Sequence, residues 1–162
     1  MILNKKVVSL ALCGVAFLSS CKNETEETRT YSDYAIYKFD NLYEMYSKND
    51  SKYGVYFYFE ECKYCKGIMS DIFNYLDKEE KTPFYLFDIK RKSTPEGTAY
   101  RDSFKDKLSD DRNAMIEEMK NTSSSVQDTY FFGTPSLYII ENGILTDCLV
   151  GDDEVKNSLK TL

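Results

Sequence analysis

One stretch of the chain passes from a strand pattern into a helix pattern: it reads Val55-Tyr56-Phe57-Tyr58-Phe59, then Glu60-Glu61, then Cys62-Lys63-Tyr64-Cys65. Five consecutive aromatic or β-branched residues are typical of a central strand that is buried on both faces. Beyond the cysteines, apolar residues recur at helical spacing between Ile68 and Leu76, which predicts a helix from about Cys62 to Leu76. The cysteine pair is therefore predicted at a turn from strand to helix.

Further strand patterns surround this segment. Residues 84–89 are apolar and follow Pro83, so they are expected to form a βαβ unit with the first strand and its helix. Residues 136–141 and 144–150 flank Asn142-Gly143, which is the strongest short-range signal for a hairpin. The alternation of strands and helices predicts an α/β fold.

Three other segments have helical patterns. Residues 40–48 are predicted to form a first helix behind Asp40, and Val155 and Leu159 indicate a short last helix. Residues 90–125 are rich in charge but keep one apolar face, which predicts one or two helices with a break near residues 109–111. These helices are expected to cover the sheet.

Length and composition limit the classes of function. The 162 residues suit one domain, and the net charge of −6 gives no basic patch for nucleic acid. Because the chain contains no histidine, it cannot form Ser-His or Cys-His nucleophile pairs or a histidine-ligated metal site. Any chemistry must come from cysteine, carboxylate, lysine or tyrosine side chains.

The first twenty residues have the pattern of a targeting signal. A basic pair at Lys5-Lys6 precedes an apolar run over residues 7–18, which is shorter than the roughly 20 residues that span a bilayer. Leu18-Ser19-Ser20-Cys21 resembles a bacterial lipobox and implies cleavage before Cys21, which is lipidated. An ordinary secretory peptide or an uncleaved anchor is the alternative.

A lipidated Cys21 predicts a protein that lies outside the cytoplasm and is held to the cell membrane by its lipid. Residues 21–34 are polar and lack an apolar stripe, so they are predicted to form a flexible tether to a domain over residues 35–162. With Cys13 removed and Cys21 acylated, three thiols remain, at Cys62, Cys65 and Cys148.

The cysteine pair suits redox chemistry at the start of a helix. First-turn N–H groups and the nearby Lys63 favour a thiolate at Cys62, whereas Glu60 and Glu61 oppose it. Cys62 would attack a disulfide, and Cys65 would then resolve the mixed disulfide. The same spacing also occurs in half of a zinc site, for which the other ligands are lacking, and in a static structural disulfide.

Over residues 35–162 the chain resembles the thioredoxin superfamily. The strand, the CxxC pair that opens a helix, and Gly133-Thr134-Pro135 before the hairpin follow the order of that family, as do Gly143 and Gly151 downstream. The resemblance implies a thioredoxin-like α/β fold: a central mixed sheet, helices on both faces, and a helical insertion at about 91–122. It also implies a thiol-disulfide oxidoreductase with Cys62 and Cys65 as its catalytic residues.

The same resemblance implies a substrate site. In the family the Thr-Pro bond is cis, its loop faces the cysteines, and the adjacent backbone pairs with an extended segment of the substrate. Thr134 and Pro135 would then bind substrate together with Lys63 and Tyr64. The alternative is an ordinary trans Thr-Pro bond at the start of a strand.

The chain also departs from the family pattern. Glu61 stands where cytosolic thioredoxins have tryptophan, and Lys63-Tyr64 stands in place of Gly-Pro. The buried acid of thioredoxins would fall at Tyr56, so either Glu60 or Glu61 replaces it through water or this assistance is missing. The insertion either covers the site or forms a structural layer, and Cys148 is either a buried inert thiol or a third redox participant.

These features together predict a membrane-anchored enzyme that reduces the disulfides of exported proteins. No flavin, haem or nicotinamide motif is visible, so no cofactor is expected and electrons must pass between protein thiols. The resemblance suggests a membrane-embedded electron-transfer partner. The alternatives are a disulfide-forming oxidant and a binding lipoprotein whose cysteines form a structural bridge.

Overall fold

The computed structural model describes residues 29–90 and 111–162. Its four strands are β1 (Lys52–Tyr58), β2 (Phe84–Asp88), β3 (Ser136–Glu141) and β4 (Ile144–Val150). Its α-helices are α1 (Lys63–Gly67), α2 (Met69–Leu76), α3 (Arg112–Met119) and α4 (Asp152–Ser158), and short 3₁₀ helices occupy Tyr31–Tyr37, Leu42–Tyr46 and Val126–Asp128.

The strands form one mixed sheet in the order β2-β1-β3-β4. β1 runs parallel to β2 and antiparallel to β3, and β3 and β4 form an antiparallel hairpin. Asn142 and Gly143 have φ values of 51° and 77°, the left-handed conformations that a type I′ turn requires at both central positions. The predicted thioredoxin-like fold, with its βαβ unit and hairpin, is confirmed.

Hydrophobic side chains pack on both faces of the sheet. Alternation along β1 sends Tyr56 and Tyr58 to one face, where they pack with the cysteines, α2, α4 and the first 3₁₀ helix. Val55 and Phe57 point to the opposite face, against the second 3₁₀ helix and α3. We call these the first face and the second face; helices cover both, as predicted.

The helix after the cysteines is divided into two. The prediction of one helix from Cys62 to Leu76 was wrong at Ile68, whose φ of −115° and ψ of 7° separate α1 from α2. Gly67 precedes the break, and glycine is a weak helix former because its unfolded backbone is so free. The division leaves α1 as a short turn that carries both cysteines.

The folded domain begins earlier than residue 35. The prediction that the tether extends to residue 34 was wrong for residues 29–34, because Tyr31 and Tyr34 are only 3% and 8% exposed within the first face. Arg29 also pairs with Asp77 at the end of α2. Two tyrosines three residues apart lie on one side of a 3₁₀ helix, a period that a search for 3.6-residue repeats does not detect.

Other predicted helices differ in extent. In place of a helix over 40–48, the structure has the 3₁₀ helix Leu42–Tyr46, capped by Asn41, whose side chain accepts a hydrogen bond from the Tyr43 N–H at 3.1 Å. The short last helix is present as α4. Within 29–90 and 111–162, no helix is both long and apolar enough to cross a membrane.

The end of the predicted insertion forms a structural layer on the second face. α3 buries Ile116 and Met119 there. The following residues continue onto the outer edge of β4, where the Asn121 N–H donates to the Leu145 carbonyl at 2.7 Å. Residues 91–110, the greater part of the insertion, lie outside the described residues.

Candidate active site

The turn after β1 places Cys62 at the start of α1. The Cys62 N–H donates to the Phe59 carbonyl at 3.0 Å, which closes the turn. Cys62 is the N-cap residue, and its Sγ accepts a hydrogen bond from the Cys65 N–H at 3.2 Å. The sulfur thus occupies the position that a side-chain oxygen fills at most helix starts.

The loop before β3 lies against this sulfur. The Cys62 thiol donates to the Thr134 carbonyl at 3.6 Å, and the Thr134 hydroxyl donates to Cys62 Sγ at 3.5 Å. The Thr134–Pro135 peptide bond is cis. Pro135 is buried, and its carbonyl accepts from the Gly151 N–H at 2.9 Å, which ties the loop to the start of α4.

The residues between and around the cysteines differ in exposure. Cys62 and Cys65 are 5% and 1% exposed, so that Cys62 lies nearer to solvent. Lys63 is exposed, and the ring of Tyr64 is 59% exposed beside the pair. The structure thus brings Cys62, Cys65 and Thr134 into direct contact, whereas Lys63 and Tyr64 face outward at the rim.

The Cys65 thiol is held in its neutral form. Burial is the main cause that raises its pKa, and the neighbouring Cys62 side chain raises the pKa further. The Phe59 backbone and the Thr134 side chain act in the opposite direction. Both Cys62 and Cys65 are free thiols in this structure, so the arrangement is that of the reduced pair.

Three stacked tyrosines pack on the first face in the same cluster as the cysteines, and the sequence did not indicate that they meet there. The Tyr31 ring lies 3.8 Å from Tyr58 and 6.5 Å from Tyr56, and the Tyr56 and Tyr58 rings are 5.9 Å apart. All three hydroxyls are buried without a hydrogen-bonding partner. Alternate tyrosines in β1 were a signal for two of them, but Tyr31 comes from the segment predicted to be a tether.

The structure separates Cys148 from the other two cysteines. Its side chain belongs to the second face, whereas Cys62 and Cys65 belong to the first. Burial raises the pKa of the Cys148 thiol to about 12. This arrangement favours the buried inert thiol over the third redox participant.

Of the other residues considered for the site, the structure describes two and leaves one outside its range. Glu60 and Glu61 are exposed on the turn after β1. Over residues 29–90 and 111–162, no group of three or more histidine, cysteine or acidic side chains is arranged to hold a metal ion. Cys21, the predicted lipidation site, lies outside the described residues.

No family model matches the chain, and no curated protein matches it. Solved structures with a similar fold include oxidised mitochondrial thioredoxin 3 from Saccharomyces cerevisiae, at 16% identity and a TM-score of 0.46, with 77% of this chain and 93% of that chain covered.

Two other thioredoxins give similar values. Thioredoxin f2 from Chlamydomonas reinhardtii has 12% identity and a TM-score of 0.46, and the comparison covers 76% of this chain and 93% of that chain. Oxidised thioredoxin from Plasmodium falciparum has 17% identity and a TM-score of 0.45, with 76% and 94% covered. The strand order β2-β1-β3-β4 and the helix positions of this chain are those of a thioredoxin-like fold.

Proposed function

We propose that the chain is a thiol-disulfide oxidoreductase that reduces the disulfides of exported proteins through Cys62 and Cys65. The observation that carries the proposal is the position of Cys62 Sγ at the start of α1, in contact with the Cys65 N–H and with Thr134. A second thiol lies one turn away at Cys65. A nucleophile, a resolving thiol and a loop beside them are the parts that disulfide exchange requires.

The reaction follows from the relative depth of the two thiols. The Cys62 thiolate attacks one sulfur of the substrate disulfide, and the other substrate sulfur leaves as a thiol after taking a proton. Cys65 then attacks Cys62 Sγ, which breaks the mixed disulfide and releases the second substrate thiol. The substrate gains two electrons, and the chain is left with a Cys62–Cys65 disulfide.

Substrate binding is proposed along the rim of the site. An extended segment of the substrate would run beside Thr134 and Pro135, next to Cys62 Sγ. The largely exposed ring of Tyr64 offers an apolar contact and Lys63 a positive charge on the same side. These four residues would select substrates, since they surround the more exposed sulfur.

The location and the electron source belong to the proposal as well. The order of basic, apolar and small residues before Cys21 supports a lipid anchor outside the cytoplasm. A thiol pair that has been oxidised by its substrate must be reduced again by thiols, and a protein dithiol can serve as the donor. We propose that a membrane-embedded electron-transfer protein supplies this dithiol.

Replacement of Cys65 by serine tests the activity, because it blocks the second step. When the full chain in detergent is mixed with glutathione disulfide, the Cys65→Ser variant should accumulate a mixed disulfide at Cys62, detected by mass spectrometry after acid quench. Cys62→Ser should accumulate none, and Cys148→Ser should behave as the wild type. A Cys65→Ser variant that traps no glutathione would contradict the oxidoreductase and favour a structural bridge.

The direction of transfer is tested by the reduction potential of the pair in glutathione and dithiothreitol buffers. A reductant is expected to lie near about −270 mV, whereas an oxidant would lie near about −120 mV. A pair that remains oxidised far below about −300 mV would identify a structural disulfide. The Cys148→Ser variant serves as the matched control, since its remaining thiols are those of the pair.

A further inference from the structure

The hydroxyl of Tyr56 is buried beside Cys65 without a hydrogen-bonding partner. Tyr56 is 0% exposed. Tyr56 packs in the same buried cluster as Cys65 and Tyr31, and its hydroxyl interacts with the side chains of both but makes a hydrogen bond of good geometry to neither. A buried hydroxyl without a partner destabilises the fold, whereas phenylalanine would fill the same space without that cost. The reduced pair therefore leaves a donor unused next to its deeper thiol.

The proposed reaction creates an acceptor at this place. Cys65 must lose its proton before its sulfur can attack Cys62, because the thiolate is the nucleophile. Burial raises the pKa of the Cys65 thiol, so this deprotonation is unfavourable at neutral pH. A donor aimed at the sulfur would stabilise the thiolate, since hydrogen bonds to ionised groups are the stronger ones.

We infer that the Tyr56 hydroxyl donates a hydrogen bond to the Cys65 sulfur as it becomes a thiolate, and that this bond speeds the resolution of the mixed disulfide. The inference rests on the proposed function and adds a positioning residue to it. As the Cys65–Cys62 bond forms, the bond from Cys62 to the substrate breaks, and the leaving substrate sulfur takes the electron pair. The proton lost by Cys65 passes through solvent to that sulfur.

Tyr56 acts as a donor and not as a base. Burial is the main cause that raises the pKa of its hydroxyl far above the usual range, so the proton remains on the oxygen. The buried acid expected at this position in the family would accept the proton, which a neutral tyrosine hydroxyl does not do. Tyr56 would thus assist the attack of Cys65 on Cys62 by stabilising the negative charge of the Cys65 thiolate.

Several other groups face this pair and affect its ionisation. Tyr31, from the first 3₁₀ helix, faces Tyr56 and both cysteines, and the negative charge of Asp88 on β2 acts on Tyr31. Cys62 faces Cys65 from α1, and the Thr134 side chain lowers the pKa of the Cys65 thiol. Thr134 therefore assists from the loop side, and Tyr56 from the sheet side.

The test compares Tyr56→Phe with Tyr58→Phe in the full chain in detergent. Tyr58 is the matched control, because its hydroxyl is also buried without a partner on the same face of β1. Each reduced variant is mixed with glutathione disulfide and quenched with acid at timed intervals. Mass spectrometry then gives separate rates for the formation of the mixed disulfide at Cys62 and for its resolution.

For Tyr56→Phe we expect resolution to slow by about tenfold or more, which is the effect of losing one hydrogen bond to a charged group. The rate of mixed-disulfide formation should stay within about twofold of the wild-type rate. The pH profile of the resolution rate should move to higher pH in Tyr56→Phe. Tyr58→Phe should match the wild type in both steps. Equal resolution rates in Tyr56→Phe and Tyr58→Phe at every pH would overturn the inference.

The same experiment separates this inference from the proposed function. If the wild type and the Cys65→Ser variant form no mixed disulfide, then the proposed oxidoreductase function is wrong and the role of Tyr56 falls with it.

If Tyr56→Phe does not fold, 3-fluorotyrosine at position 56 takes its place, because its more acidic hydroxyl is a stronger donor. Resolution should then be faster than in the wild type, and an unchanged rate would overturn the inference.

Discussion

Both faces of the sheet bury cysteine side chains, and a comparison of Cys65 with Cys148 shows what burial alone does to a thiol. Cys65 on the first face and Cys148 on the second are 1% and 3% exposed. Burial raises the pKa of both thiols. Cys65 nevertheless lies one turn of α1 from the Cys62 thiol and interacts with the Thr134 side chain of the loop. Cys148 lies on β4 and packs on the opposite face of the sheet. The difference in proposed role therefore comes from neighbours and not from burial.

The faces also differ in how they are completed. On the first face, the N-terminal 3₁₀ helix contributes Tyr31 and Tyr34 to the core. The second face is covered by the helix Leu42–Tyr46 and by α3. The site on the first face thus depends on Tyr31 and Tyr34, which come from the most N-terminal element that the structure describes.

The largest effect is expected when the N-terminal contribution to the first face is removed. Tyr31→Ala should lower the free energy of unfolding by about 3–5 kcal/mol, since it deletes a buried aromatic ring. Tyr43 lies on the 3₁₀ helix Leu42–Tyr46 and is 68% exposed, so Tyr43→Ala should change the free energy of unfolding by less than about 0.5 kcal/mol. Urea denaturation of the full chain in detergent measures both.

Tyr31→Phe sharpens this comparison, because it keeps the ring and removes a hydroxyl that has no partner. Its stability should equal or exceed that of the wild type. If Tyr31→Ala were as mild as Tyr43→Ala, the segment before residue 35 would be a tether after all.

The sequence predicted the parts of the fold whose signals are local. Five consecutive strand formers predicted β1. Asn142-Gly143 predicted the hairpin, because few residues adopt a positive φ at two successive positions. The buried face of Tyr31–Tyr37 was missed because its tyrosines stand among polar residues at a spacing of three. The break at Ile68 was missed because the apolar pattern continues through it.

The candidate site divides in the same way. Cys62, Cys65 and Thr134 were named from motifs, and the structure brings them into contact. The nearness of the Tyr31 hydroxyl to Tyr56 and to the cysteines depends on the packing of a distant segment, which no local pattern reports. Tyr56 was noted only as the position of a missing acid, because a strand pattern does not show which neighbours its buried side chains meet.

A smaller effect tests the inert thiol on the second face. With a pKa of about 12 in the folded state, Cys148 keeps its proton, whereas an unfolded cysteine loses it near about pH 8.5. Above that pH the unfolded state binds fewer protons, so the free energy of unfolding falls as the pH rises. Between pH 8.5 and pH 10 this one thiol should remove about 1.5 kcal/mol.

Comparison of alkaline stability curves isolates that contribution. The free energy of unfolding of Cys148→Ala should fall by about 1.5 kcal/mol less than that of the wild type over this range. The small cavity left by the substitution lowers the stability by the same amount at every pH and does not affect this difference. Leu145→Ala, at a buried residue of the same strand that does not titrate, should give an offset with no change in slope. If the curves of the wild type and Cys148→Ala ran parallel, the Cys148 thiol would ionise normally in the folded state. It would then be reactive enough for redox chemistry, and the contrast between the two faces would fail.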